Sequence, residues 1–166
     1  MLSVFPVLLT ACSAFSFSQL SSYVFGILPM NEISSIPGNS PFELCNTENQ
    51  HLLEIDNIYL DPYPPIPGEN ITITASGNLL VDVYDGAYVD VVVTYGFIIL
   101  VNKRYDLCEL LPEVSMECPV SKGKLSIVKT VEIPEEVPPG EYSVQAQAYT
   151  ADDVLLSCLE ASVDLE

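Results

Sequence analysis

Few residues in this chain have the type and spacing to do chemistry. His51 is the only histidine. It lies in the polar stretch Asn49-Gln50-His51, and no Gly-x-Ser-x-Gly elbow exists to supply a nucleophile for it. Paired carboxylates occur at Glu135-Glu136 and Asp152-Asp153, beside Pro/Gly-rich or turn residues, so they read as solvated loops. Asp82-Val83-Tyr84-Asp85-Gly86 fails the spacing of a calcium loop. No two of Cys45, Cys108, Cys118 and Cys158 have the short ligand spacing of a zinc site. No residue is assigned a catalytic role, no metal or cofactor is expected, and an enzyme is not indicated.

The cysteines have another use. Without Cys12, four remain, an even set that suits two disulfides with three connectivities open. The short loop containing Pro112 favours Cys108–Cys118, which leaves Cys45–Cys158. Cys12 falls inside Leu2 to Phe17, an apolar run, and the small residues Ser16 and Ser18 fit the −3 and −1 positions for cleavage before Gln19. Residues 1–18 therefore read as a signal peptide, although the basic n-region is missing. Asn70-Ile71-Thr72 is an N-glycosylation sequon, with Asn70 the acceptor, and suits the same compartment. No later run reaches the length of a membrane span, so the expected location is the secretory pathway, ending in a vacuole-like or lysosome-like lumen or outside the cell.

Composition narrows the partners. The 166 residues hold 23 acidic and 5 basic side chains, a net charge of −18, yet 49% are hydrophobic and only 17% charged. That balance fits a packed domain and not an acidic disordered tail. It also argues against nucleic acid, which needs clustered cations. The charge is uneven: all five cations, Lys103, Arg104, Lys122, Lys124 and Lys129, fall between positions 103 and 129. The stretch is a candidate patch facing a membrane or a phosphate.

The elements that must position these groups are mostly strands. Ala87, Val89, Val91, Val93 and Tyr95 alternate with Tyr88, Asp90, Val92 and Thr94, which is period two. Gly96 interrupts before the run Phe97 to Val101. Asn70 to Ser76 alternates as well, and Leu125, Ile127, Val131 and Ile133 mark another strand whose apolar face Lys129 interrupts. Further strands are expected at Leu52 to Leu60, Tyr142 to Tyr149 and Val154 to Leu165. Asp61 to Gly68, with four prolines, and Val137-Pro138-Pro139-Gly140 are corners. Leu107, Leu110, Leu111 and Val114 have the spacing of a short helical turn. About seven short strands indicate an all-β chain folded as an immunoglobulin-like antiparallel β-sandwich.

Several motifs then occur in order. Gly86 to Gly96 is followed by Tyr105-Asp106-Leu107-Cys108-Glu109-Leu110-Leu111, by Cys118-Pro119-Val120 and Lys122-Gly123-Lys124, and by the Cys158 strand. Together with Ile36-Pro37-Gly38 and Ile66-Pro67-Gly68-Glu69-Asn70 upstream, this series resembles the ML-domain lipid-recognition family. The two upstream motifs look like the fungal branch of that family, the phosphatidylglycerol/phosphatidylinositol transfer proteins, and the family also takes in the Niemann-Pick type C sterol carriers. The resemblance covers about Ile36 to Leu165 and implies a lipid held between two sheets. It sets residues 37–166 as the lipid-binding domain and 19–36 as a candidate propeptide or flexible segment.

Sterol is the less favoured cargo, because a cysteine pair of the animal carriers is replaced here by the prolines of 61–68. An acyl chain needs apolar walls and a gap in the core. Candidate wall residues are Val89, Val91, Val93, Tyr95, Ile98, Leu100, Ile127, Val131, Val144 and Ala146. Lys103, Arg104, Lys122 and Lys124 are candidates to meet a headgroup at the mouth. The expected partners are a phospholipid or sterol and, transiently, a membrane surface, with the protein acting as a monomer. The competing reading is a secreted immunoglobulin-like module that recognises a protein partner through a sheet face.

Overall fold

The computed structural model describes residues 34–45 and 50–166. The signal-peptide assignment, 1–18, lies outside them, as does most of 19–36. Nine strands are described: β1 (Ser34–Ser35), β2 (Phe42–Leu44), β3 (Leu53–Asp61), β4 (Asn70–Leu79), β5 (Tyr88–Tyr95), β6 (Ile98–Asp106), β7 (Gly123–Glu132), β8 (Gly140–Tyr149) and β9 (Leu155–Leu165). One helical turn, α1 (Leu107–Leu110), runs into a 3-10 turn at Leu111–Val114. The two strands beyond the expected seven are β1 and β2, with two and three residues, too short to carry a periodic signal.

All pairings are antiparallel. They form a six-stranded sheet, β1-β2-β9-β8-β5-β6, and a three-stranded sheet, β3-β4-β7. In the first, Val89 lies opposite Ala148, Val91 opposite Ala146 and Val93 opposite Val144. In the second, Ala75 is flanked by Ile58 and Ile127, and Ile73 by Leu60 and Lys129. Strand alternation puts these side chains on the inner faces of the sandwich. The best-packed core, Leu79, Val83, Ala87 and Leu156, lies at the end where β4 and β5 are joined.

The two sides of the sandwich differ. On one side, the segment after β1 crosses to the smaller sheet: the amides of Ile58 and Leu60 donate to the carbonyls of Pro37 and Asn39, at 2.9 and 3.0 Å. The free edge of β3 is thereby covered. Gly38 permits this approach, since it has φ +131° and a Cβ there would overlap the Ile58 carbonyl. On the other side, β6 and β7 end their sheets with no further strand among the described residues. Ile36, within the candidate propeptide segment, is buried, and β1 pairs with β2.

Candidate functional site

An apolar cavity of about 330 Å³ separates the two sheets. Leu53, Leu79, Leu125 and Ile127 wall it from the smaller sheet, and Ala148 and Leu156 from the larger. Leu107, Leu110, Leu111, Val114 and Met116 roof it. The roof forms locally. Asp106 caps the turn, its Oδ1 accepting from the Glu109 amide at 3.1 Å. Pro112 suits the start of the 3-10 turn, and Ser115, at φ 60°, ends it. The disulfide Cys108–Cys118, with Cα atoms 5.5 Å apart, ties the roof's start to the segment leading into β7. The second disulfide, Cys45–Cys158 (5.3 Å), joins the end of β2 to β9.

The size of the gap sets what fits. Its volume is about eleven times the ~30 Å³ that a water molecule occupies in the liquid, enough for a chain segment of roughly ten carbons. A larger depression, about 700 Å³, lies against Val92, Val144 and Ala161 together with Pro41, Glu43, Thr94, Ser143, Gln145, Glu160 and Ser162. Hydroxyls, an amide and two carboxylates would lose water to an acyl chain there without new partners. The smaller, apolar cavity is therefore the lipid-compatible one.

Of the ten candidate wall residues, Ile127 lines this cavity. Val89, directly opposite Ala148, and Val91, Val93, Tyr95, Val144 and Ala146, farther along the sheet, share the inner face with Ala148 and are half-buried. Val144 also borders the polar depression. Tyr95 stacks obliquely on Tyr142, ring centroids 5.0 Å apart, and their hydroxyls donate to the carbonyls of Pro139 and Pro138. Ile98, Leu100 and Val131 are exposed. The roof residues were legible as a helical turn, but nothing in their spacing marked them as a cavity wall.

The four candidate headgroup residues do not converge. Lys103 and Arg104 alternate to opposite faces of β6. Lys103 Nζ lies 4.6 Å from the Tyr105 ring centroid. Arg104 lies 3.7 Å over the Tyr88 ring and grips Asp90 with two bonds of 2.7 and 2.8 Å. That pair holds the Asp90 carboxyl below its ordinary value and raises the guanidinium further. The Tyr88 hydroxyl donates to Asp153 at 2.6 Å, which pushes the phenol upward. Lys122 and Lys124 are exposed at the start of β7, and the Lys122 amide donates to Asp82 Oδ1 at 2.7 Å. His51 lies just ahead of β3, its imidazole pushed below the ordinary value by partial burial. Asn70 is exposed at the start of β4.

The fifth cation was not among the candidates. Lys129 lines the apolar cavity, and its Nζ pairs with Glu113 Oε2 at 2.7 Å. Its signal was present in the sequence as the one break in the apolar face of β7. With it, all five cations of the chain lie on β6, on β7 or on the residue before β7, flanking the open side of the sandwich.

Known proteins resemble this chain in sequence and in fold. A phosphatidylglycerol/phosphatidylinositol transfer protein of Candida albicans is 46% identical over 150 residues, covering 90% of this chain and 74% of its own length. The protein of that description from Kluyveromyces lactis is 41% identical, covering 92% and 91%. Among solved structures, a Niemann-Pick type C2 protein from the Japanese carpenter ant superposes with a TM-score of 0.53 at 17% identity, over 75% of this chain and 98% of that one. Chicken MD-1 complexed with lipid IVa gives 0.53 at 14%, over 79% and 96%. These two likenesses establish the fold. Residues 39–165 match the family described as the ML domain, and the chain belongs to that family.

Proposed function

We propose that this protein is a soluble lipid carrier that lifts an anionic phospholipid, phosphatidylinositol or phosphatidylglycerol, out of one membrane and delivers it to another. The observation that carries the reading is the apolar cavity between the sheets, roofed by Leu107 to Met116. Burial of about ten methylenes at ~0.8 kcal/mol each supplies ~8 kcal/mol of transfer free energy, before the costs of association are subtracted. No bond need be made or broken. The relatives' names, not the cavity, favour these two headgroups over sterol. The two disulfides and the family support a workplace in the secretory pathway or outside the cell; a vacuole-like lumen is the version we favour.

Membrane contact is assigned to the β5–β6 hairpin. Phe97 is fully exposed at its tip, and Ile98, Ile99 and Leu100 are each more than half exposed. No charged residue occurs from Val91 to Asn102 in a chain of net charge −18, so this tip meets a bilayer with the least local repulsion. Inserting Phe97 alone is worth roughly 2–3 kcal/mol, enough for a brief and reversible visit.

Native mass spectrometry of the protein purified from its own secretory pathway should show a co-purified lipid. Vesicle-to-vesicle transfer of labelled phosphatidylinositol, phosphatidylglycerol and sterol should then rank the two phospholipids above sterol. A lipid-free protein that transfers none of the three would leave a recognition module as the better reading.

A further inference from the structure

We propose that Lys129 is the residue that selects an anionic headgroup, and that Glu113 is its stand-in partner while the cavity is empty; this rests on the carrier reading above. The position itself is the first observation. Lys129 occupies an inward place on β7, in line with Leu125 and Ile127 and opposite Ile73, where the strand pattern calls for an apolar side chain. The outward places on either side, Val128 and Thr130, are exposed. The second observation is the company it keeps. Among the fifteen described residues that line the cavity, Lys129 and Glu113 are the only charged ones, and one stands on the wall while the other stands on the roof.

An ordinary surface pair would have no reason to face a hydrophobic gap. This one sits where the gap meets water: the Lys129 side chain is 33% exposed and that of Glu113 is 55% exposed. When an acyl chain fills the apolar part, its glycerol and phosphate must end at this boundary. A lysine ammonium is a compact point charge that suits a phosphodiester. An unpartnered ammonium at an apolar wall would be costly in the empty protein, so a resident carboxylate is needed there. Glu113 can swing into water when the phosphate arrives, because more than half of it is already solvated. The exchange replaces one oxyanion with another around the same ammonium.

The test compares labelled phosphatidylinositol with the diacylglycerol of matching chains, both presented in phosphatidylcholine vesicles, and reads the ratio of their transfer rates. Lys129→Gln should lower that ratio at least tenfold, Lys129→Arg should preserve most of it, and Glu113→Gln should raise it. Melting temperatures show that the variants are folded, and the Arg variant keeps the test informative if Gln is unstable. A ratio unmoved by Lys129→Gln, or one lost equally in the Arg variant, overturns the assignment. Excess inorganic phosphate should leave the wild-type ratio in place; its loss would make the site one for free phosphate and overturn the lipid assignment. If the wild-type protein transfers neither lipid, the carrier reading falls as well, so the two failures are distinct.

Discussion

The substitution Ala148→Phe separates a cavity that holds lipid from a core that is merely loosely packed. Ala148 lies on the inner face of β8, opposite Val89, and lines the cavity beside Leu156 and Val83. A benzyl group there would project into the 330 Å³ gap and displace about three methylenes of a bound chain. At ~0.8 kcal/mol for each, the loss is ~2.4 kcal/mol, or close to two powers of ten in affinity. Stability should move in the other direction, because the ring fills space that exists and buries new apolar area. If the gap were not there, overpacking would lower stability by ~1–3 kcal/mol. Lipid affinity is read by titration with labelled phosphatidylinositol, and stability by thermal unfolding of the lipid-free protein. Retained affinity would refute the placement of the lipid, and a lowered melting temperature would refute the gap itself.

Other outcomes follow from the same geometry. Phe97→Asp should slow vesicle-to-vesicle transfer at least tenfold with an unchanged melting temperature; equal rates would remove the β5–β6 hairpin from the membrane contact. Transfer to anionic vesicles should quicken as pH falls from 7 toward about 4.5, because acid reduces the negative charge of a −18 chain and relaxes its repulsion. A flat pH profile would count against that. Because Arg104 depresses Asp90, their pair stabilises the fold fully above the ordinary carboxyl value of 3.8, and this is lost as pH falls through the depressed value. Asp90→Asn should therefore lower the melting temperature at neutral pH, with the difference closing as pH falls through the depressed value of Asp90. In the chain-entropy account, removing Cys45–Cys158, which spans 113 residues, should cost ~5 kcal/mol, and removing Cys108–Cys118, which spans 10, should cost ~3 kcal/mol. Denaturant titration that finds the reverse order would contradict it.

How far the sequence foretold the molecule depended on whether the signal was local. The alternation of Ala87 to Tyr95 gave both a strand and the face it buries, and the helical spacing of Leu107 to Val114 gave the turn that became the roof. β1 and β2 are too short to carry any period and are held by pairing with β9 and with each other. The cavity was the least legible feature. Whether an inward valine meets another side chain or a gap depends on how far the sheets diverge at that point, a property of neither strand alone. Thus Val91 and Ile127 look alike in sequence, yet only the second lines the gap. Lys129 was visible as an anomaly, but its meaning required Glu113, sixteen residues away, to be brought to 2.7 Å.

The open side of the sandwich has a consequence for association between copies. An unpaired strand edge is a template for another chain's backbone, and β6 and β7 are both such edges among the described residues. They carry the protein's few cations, so two molecules meeting edge to edge would bring lysines against lysines. Like charges along both edges would oppose such pairing. Removing several of these lysines together would weaken that opposition as well as the phosphate contact proposed for Lys129. A multiple variant that stops transferring lipid could therefore owe its silence to filament-like pairing, and size-exclusion chromatography of each variant decides between the two.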